Sequence, residues 1–350
     1  MPKVSRILEK GFQFLTKGEK ALTPPFYAVI EVNDRCCLRC KQCNLWKRVD
    51  KLNQEYLTES EIVKLIRDIR KWNPLTKTLM FCGGEPFLEK GIFRYIQVAK
   101  RLKFFTTITT NGFLIDEDMA YDIVDSGLDE LCFSLDAPEA KIHDNIRGVK
   151  GSFDRLIKAN ELINKAKREL NRKTPSIRVN TVISNLNYKY LPLIPSLLRK
   201  MGIKEYAAQY ITVVSPEIKE ATDRVFRRAV CPKQWILPKE LLIPKEEENE
   251  FWKTISMLEK RAKENNINLS LRLYNKMQPC SILWGSLLVD SYGNVLPCTM
   301  LRDIAGNIRG RNVKSIWNNE KMKNARKLFN QGKLNPICTR CCIYPNVMFR

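Results

Sequence analysis

Histidine is nearly absent from this chain: His143 is the only one in 350 residues. Acid–base chemistry that leans on a pair of imidazoles is thereby excluded, and the neighbours of His143 suggest a place at a helix start. Long apolar runs are missing too. No stretch approaches the roughly 18 to 20 apolar residues that a membrane span requires. Glu9, Lys10, Gln13 and Lys17 break up the early apolar residues, so no secretory signal is visible and the expected location is the cytoplasm. Acidic residues are scarce relative to basic ones, 38 against 60, which gives a net charge of +22. Such a balance favours an anionic substrate or other anionic partner. The charges are scattered rather than blocked, and a solvated lysine-rich surface accounts for them equally well.

What is present is cysteine, twelve in all. In the expected compartment thiols are kept reduced, so metal explains them better than disulfides do. Most lie in two places. The first is residues 33–46, NDRCCLRCKQCNLW, directly after the β-branched and aromatic run FYAVIEV. Cys36, Cys40 and Cys43 form a C-x3-C-x2-C array there. Structural zinc takes four N/S ligands, often as two C-x2-C pairs, whereas this loop offers three spaced thiols with no local fourth. Three thiolates on a short loop point to an iron–sulfur cluster with one iron left open. Cys37 sets up an alternative frame with Cys40 and Cys43.

The length suits one large domain plus a smaller one, and a hydrophobic fraction of 44% is ordinary for a folded chain. Val4, Ile7, Leu8, Phe12 and Leu15 lie at helical spacing among basic residues. This N-terminal amphipathic arm, residues 1–25, either packs on the main domain or makes a peripheral membrane contact. From Phe26 to about Ile211 strands and helices alternate, which predicts a parallel sheet with crossover helices. The strands are FYAVIEV, TLMFC, FFTTITT, ELCFSL, IRVNTVI and EYAAQYI, and Thr58 with Glu61 has capping-box spacing at the first helix. Helices are expected near 91–102, 116–126, 153–170 and 187–201. Residues 213–250 lose the pattern and read as a connector, with Cys231 an isolated buried thiol. A helix near 246–266 and the strand NLSLRL follow.

Residues 83–86 read GGEP at the end of the second strand, where Gly83 and Gly84 let backbone approach a ligand closely and Glu85 adds an acceptor. With the three-cysteine loop, this makes the chain resemble the radical S-adenosylmethionine superfamily over nearly its whole length. The resemblance implies an α/β fold: a partial (β/α)6 barrel over residues 26–212, a connector over 213–267 and a small α+β auxiliary-cluster domain over 268–350. It also implies that Cys36, Cys40 and Cys43 hold a [4Fe–4S] cluster whose open iron binds S-adenosylmethionine. An electron delivered by a donor such as a flavodoxin or ferredoxin then yields a 5′-deoxyadenosyl radical, which abstracts hydrogen from substrate. The family spacing selects Cys36 over Cys37. Cofactor contacts implied by the motif positions are Gly83, Gly84, Glu85, Asn111, Ser134, Asp136, Arg147 and Asn180. A carboxylate there suits ribose hydroxyls, and a guanidinium suits the methionyl carboxylate. Family members commonly carry an aromatic residue before the last cysteine, where this chain has Gln42, so aromatic cover is expected from Trp46.

The second concentration of cysteine is C-terminal: Cys280, a hairpin at Tyr292-Gly293-Asn294, Cys298, a helix over 313–330, then Cys338-Thr339-Arg340-Cys341-Cys342. Gly293 supplies the positive φ that a tight hairpin needs and draws Cys280 toward Cys298. The pattern resembles the SPASM module, and more closely its shortened form, twitch. That resemblance implies one auxiliary [4Fe–4S] cluster on Cys280, Cys298, Cys338 and Cys341, working in electron transfer. A four-cysteine zinc site is the rival, and Cys342 is an alternative to Cys341. SPASM-bearing relatives imply a peptide or protein side chain as substrate, and twitch-bearing relatives imply a small molecule or lipid. A non-enzymatic metal-stabilised nucleic-acid binder is the third reading, without a binding motif to support it.

Overall fold

The computed structural model describes residues 18–47, 55–229, 236–273, 280, 282–331 and 336–341. The amphipathic helix and membrane contact expected of the N-terminal residues, and also Cys231 and Cys342, lie outside the described residues. Among the described residues, no helix is long and apolar enough to cross a membrane.

Six strands alternate with helices as the sequence pattern requires: β1 (Tyr27–Asn33), β2 (Thr78–Gly83), β3 (Phe105–Thr110), β4 (Glu130–Ser134), β5 (Ser176–Ile183) and β6 (Glu205–Tyr210). All pair parallel with their neighbours. Parallel pairing demands crossovers, supplied by α1 (Glu59–Trp72), α2 (Ile92–Arg101), α3 (Glu117–Asp125), α4 (Ala140–Arg147), α5 (Ser152–Glu169) and α6 (Ile194–Lys200). The capping box at α1 is formed, with Glu61 N donating to Thr58 Oγ1 and Thr58 N donating to the Glu61 carboxylate at 2.8 Å. Ile62, Leu65, Ile66 and Ile69 of α1 are buried against the sheet, each worth roughly 1.5–3 kcal/mol relative to exposure.

The sheet runs on past both ends of this array. β7 (Asn268–Arg272) adds parallel to β6, and β8 (Ser286–Val289) adds parallel to β1. β9 (Asn294–Leu296) and β10 (Gly306–Asn307) continue antiparallel. The order β10-β9-β8-β1-β2-β3-β4-β5-β6-β7 therefore places the C-terminal hairpin beside β1, the strand that leads into the first cysteine loop.

The two faces of the sheet differ. Ala28, Ile30, Val32, Leu79, Phe81, Leu131, Phe133 and Val179 form the main core with the helices. The alternating residues on the opposite face include Glu31, Cys82, Thr109, Glu130, Cys132 and Arg178. This second face mixes these polar side chains with apolar ones such as Val29 and Met80.

Four details differ from the sequence reading. The 213–250 connector contains a helix, α7 (Pro216–Phe226), started by Ser215 as N-cap and Pro216 at the first turn. The 313–330 helix is two, α9 (Val313–Trp317) and α10 (Glu320–Asn330), because Asn319 takes an extended conformation and caps the second. The 187–201 helix opens as a 3-10 turn, Tyr188–Leu193, that contains Pro192. His143 sits inside α4, fully buried, not at a helix start. The 246–266 helix forms as α8 (Glu248–Glu264).

Candidate active site

The cysteine loop leaves β1 at Asn33, and its path is fixed from two sides. On one side Gly84 N donates to Asn33 O at 2.9 Å and Glu85 N donates to Arg35 O at 2.7 Å. Asn33 closes this contact by donating from Nδ2 to Glu85 O at 3.1 Å. A Cβ on Gly83 would lie 2.1 Å from Asn33 O, and one on Gly84 would lie 1.9 Å from Arg35 O. The close approach that the sequence assigns to a ligand is thus made to the cysteine loop itself. On the other side the end of α4 grips the loop, with Arg39 N donating to Arg147 O and Lys41 N to Ile146 O. Gly148, at φ +72°, leaves room for Arg39 O.

Within the loop Cys36 and Cys37 act on each other's charge, and the Asn111 amide lies 3.8 Å from Cys36 Sγ and 3.6 Å from Cys37 Sγ. Arg147 Nη1 donates to Cys40 Sγ at 3.9 Å. Burial pushes the Cys40 thiol up to about 11 and raises Cys43 as well, while the Cys37 contact raises Cys36. Cys36 adds to the upward push on both Cys40 and Cys43. The three thiols thus lie near enough to act on one another's charge, as thiolate ligands of one cluster must. Among the described residues no three Cys, His, Asp or Glu side chains converge as the donors of one ion do. Cysteines of a multi-iron cluster bind separate irons and stand further apart.

Trp46 is tied to the loop, donating from Nε1 to Cys40 O at 3.1 Å. The Arg39 guanidinium and the Lys47 ammonium lie 5.5 and 5.2 Å from its ring.

The expected cofactor contacts gather at the C-terminal strand ends, where parallel barrels place their working groups. Ser134 and Asn180 are register partners on β4 and β5, and Asn111 follows β3. Two pairs of side chains are turned toward each other rather than outward. Arg147 Nη2 meets Asp136 Oδ2 at 2.8 Å and donates to Ser134 O at 2.7 Å. Asp136 is fully buried and also accepts from Gln42 Nε2 at 2.7 Å and Val182 N at 3.1 Å. Glu85 likewise points inward, its carboxylate accepting from Thr110 Oγ1 at 2.8 Å, Asn111 N at 2.9 Å and Phe87 N at 3.3 Å. Burial pushes Glu85 up to about 7 against the pull of those donors. His143 accepts from Asp136 N through Nδ1 at 3.2 Å, and burial presses its pKa down to about 3.

Sequence reasoning missed the structural parts played by Asn33, Thr110 and Gln42. Only Gln42 left a signal, as a polar residue where related loops carry an aromatic one.

The C-terminal cysteines also assemble. Gly293 turns the β8–β9 hairpin at φ +83°, with Asp290 Oδ1 accepting from Tyr292 N and Asn294 N. Burial, then Cys280 and Cys341, push Cys298 up to about 12, and burial with Cys341 pushes Cys280 to about 11. Cys298 and Cys338 pack on one apolar cluster of Val214, Phe226, Leu301 and Ile337. Cys341 N donates to Cys338 O at 3.2 Å.

A curved parallel sheet with one thiol loop at its C-terminal edge and a second thiol group beside its first strand is the scaffold of an iron–sulfur enzyme. The chain belongs to the radical SAM superfamily, whose model matches residues 30–179, and it carries the iron–sulfur cluster-binding SPASM domain over residues 280–342. Its cofactors are [4Fe–4S] clusters and S-adenosylmethionine. An AdoMet-dependent heme synthase of Methanosarcina barkeri is 25% identical over 322 residues, covering 89% of this chain and 86% of that protein. Among solved structures, Streptococcus suis SuiB bound to its precursor peptide SuiA superposes with a TM-score of 0.66 at 17% identity, covering 90% of this chain and 69% of SuiB. The enzyme anSMEcpe with AdoMet and the Cp18Cys peptide gives 0.66 at 18% identity, covering 91% and 86%.

Proposed function

We propose that this radical SAM enzyme modifies a peptide or protein side chain by hydrogen abstraction. The observation that carries the reading is that two thiol groups flank one sheet face, in a fold shared with two enzymes solved with peptides bound. Cys36, Cys40 and Cys43 hold the cluster at the mouth, and Cys280, Cys298, Cys338 and Cys341 hold one auxiliary cluster beside β1. When bound, the cluster and S-adenosylmethionine supply the 5′-deoxyadenosyl radical, given an electron from a donor of the flavodoxin or ferredoxin kind.

The protein's own part is positioning. Asn111, Ser134 and Asn180 line the cofactor's layer. The Arg147–Asp136 pair fixes the end of β4 against the loop, and through Gln42 it also fixes the segment between Cys40 and Cys43. Trp46 shields the loop backbone. A small-molecule substrate is the second reading, favoured by the heme synthase similarity over 89% of the chain.

The test follows deuterium from a deuterated cell extract, split by size before and after protease treatment, into 5′-deoxyadenosine made by the reduced, reconstituted enzyme. Label should come from the macromolecular or peptide fraction and be lost when that fraction is digested exhaustively. Label arising only from the protease-resistant small-molecule fraction would reject the peptide reading.

A further inference from the structure

The second face of the sheet carries a layer of side chains that the cofactor assignment does not use. Strand register sets Glu31 against Cys82, Thr109 against Cys132, Cys132 against Arg178, and Arg178 against Glu205. This layer lies one step before Ser134 and Asn180 along the strands, away from the first cysteine loop. On its other side are Val29, Met80, Leu288 and Leu296, against which Cys298 packs. By register the layer therefore lies between the first thiol loop and the apolar cluster on which Cys298 packs.

Each of its cations is matched by a carboxylate. Arg302, four residues after Cys298, grips the Glu31 carboxylate with two bonds of 2.8 and 3.0 Å, and its side chain is only 8% exposed. Asp290 stands close enough to interact with both partners. Across the face Arg178 meets Glu130 at 2.7 Å. Glu205 is a further carboxylate, accepting from Asn268 at 2.7 Å. Both guanidinium groups thus face carboxylates, and the remaining charges are negative. Between the ion pairs lie two thiols and the hydroxyl of Thr109, whose buried oxygen has no hydrogen-bond partner.

We propose that this layer binds the reacting part of the substrate and selects an uncharged, hydrogen-bonding group, such as an amide-bearing peptide segment, over an anionic one. Glu31 and Arg302 are the specificity-determining pair. The proposal rests on the peptide reading for its substrate class. A carboxylate or phosphate entering the layer would give up its hydration to meet guanidinium groups already paired with carboxylates. A lipid chain would be set against two ion pairs and an unsatisfied hydroxyl. The net charge of +22 belongs to the exterior and to whatever anionic partner meets it there.

Cys82 reports on this space without any knowledge of the substrate. The reconstituted holoprotein is treated anaerobically with iodoacetamide, which is neutral, or iodoacetate, its near-isosteric anion, and alkylation of the Cys82 peptide is timed by mass spectrometry. Rates are divided by those of the same thiol in the unfolded chain, which removes intrinsic reactivity. In the wild-type protein iodoacetate should be disfavoured at least tenfold relative to that reference. In a folded Glu31→Gln variant, which leaves Arg302 without its bidentate carboxylate, the bias should shrink or reverse. A wild-type bias short of tenfold, or one unchanged by Glu31→Gln, overturns the charge selection. Failure of iodoacetamide to reach Cys82 overturns the layer as a binding space. Because no peptide enters the assay, its outcome is separate from the fate of the peptide reading.

Discussion

Replacing Arg147 by Met should destabilise the protein by about 3–5 kcal/mol, the usual cost of leaving one member of a buried ion pair without its partner. Arg147 is 9% exposed and Asp136 is 0% exposed, so neither charge has water to fall back on. After the change, the Asp136 carboxylate keeps only Gln42 Nε2 and Val182 N, and Ser134 O loses its donor. With an unfolding entropy of ~2.1 cal/mol/K per residue, 350 residues give about 0.7 kcal/mol/K, so the loss corresponds to roughly 4–7 °C in Tm. The double variant Arg147→Met/Asp136→Asn removes both charges and should recover part of the loss, by about 0.5–3 kcal/mol relative to additivity. Differential scanning calorimetry on the anaerobic holoprotein, with urea unfolding at one temperature, measures all four members of the cycle. Strictly additive single effects, or a single-variant loss below ~1 kcal/mol, would show that the pair is not the clamp between β4 and the cysteine loop.

Three further outcomes follow from the same geometry. Anaerobic reconstitution should give about eight irons with matching labile sulfide, two cubanes' worth, and alanine at Cys36, Cys40 and Cys43 should halve that count. The same change at Cys280, Cys298, Cys338 and Cys341 should also halve it while leaving 5′-deoxyadenosine formation measurable; retention of all iron in either variant refutes that ligand set. Gly84→Ala should cost iron and cofactor cleavage together, because its Cβ meets backbone of the cysteine loop at 1.9 Å, and near-normal iron content in the variant rejects that account. His143, with its folded pKa near 3 against an ordinary value of 6.5, favours the fold fully above about pH 6.5. That contribution falls as pH drops toward 3, because the unfolded chain takes up the proton first. As the single histidine, it can be followed by 13C-imidazole NMR without assignment, and a midpoint above 6 contradicts the buried Nδ1 acceptor role.

The sequence by itself determined the elements and the chemistry. Period-two apolar strands alternating with helical stretches make a parallel sheet almost obligatory, because each crossover must cover a face. Cysteine spacing and GGEP are local, so the thiol loop and its neighbouring glycines are readable in one dimension. Side-chain direction is not. Whether Arg147 and Asp136 serve a ligand or each other, and whether Glu85 faces out or in, depends on which groups 10 to 100 positions away arrive within ~3 Å, and no spacing rule encodes that. His143 reads as a helix-start residue, and only the packing of α4 buries its ring beside Asp136. The helix over Pro216–Phe226 lay in a proline-rich stretch where Ser215 and Pro216 were start signals rather than breakers. Only the tertiary structure set the C-terminal hairpin beside β1 and joined Arg302 to Glu31 across 271 positions. Long-range pairing of this kind is fixed by the closure of a sheet edge, which packs distant segments together because an open row of backbone donors and acceptors is costly to leave unpaired.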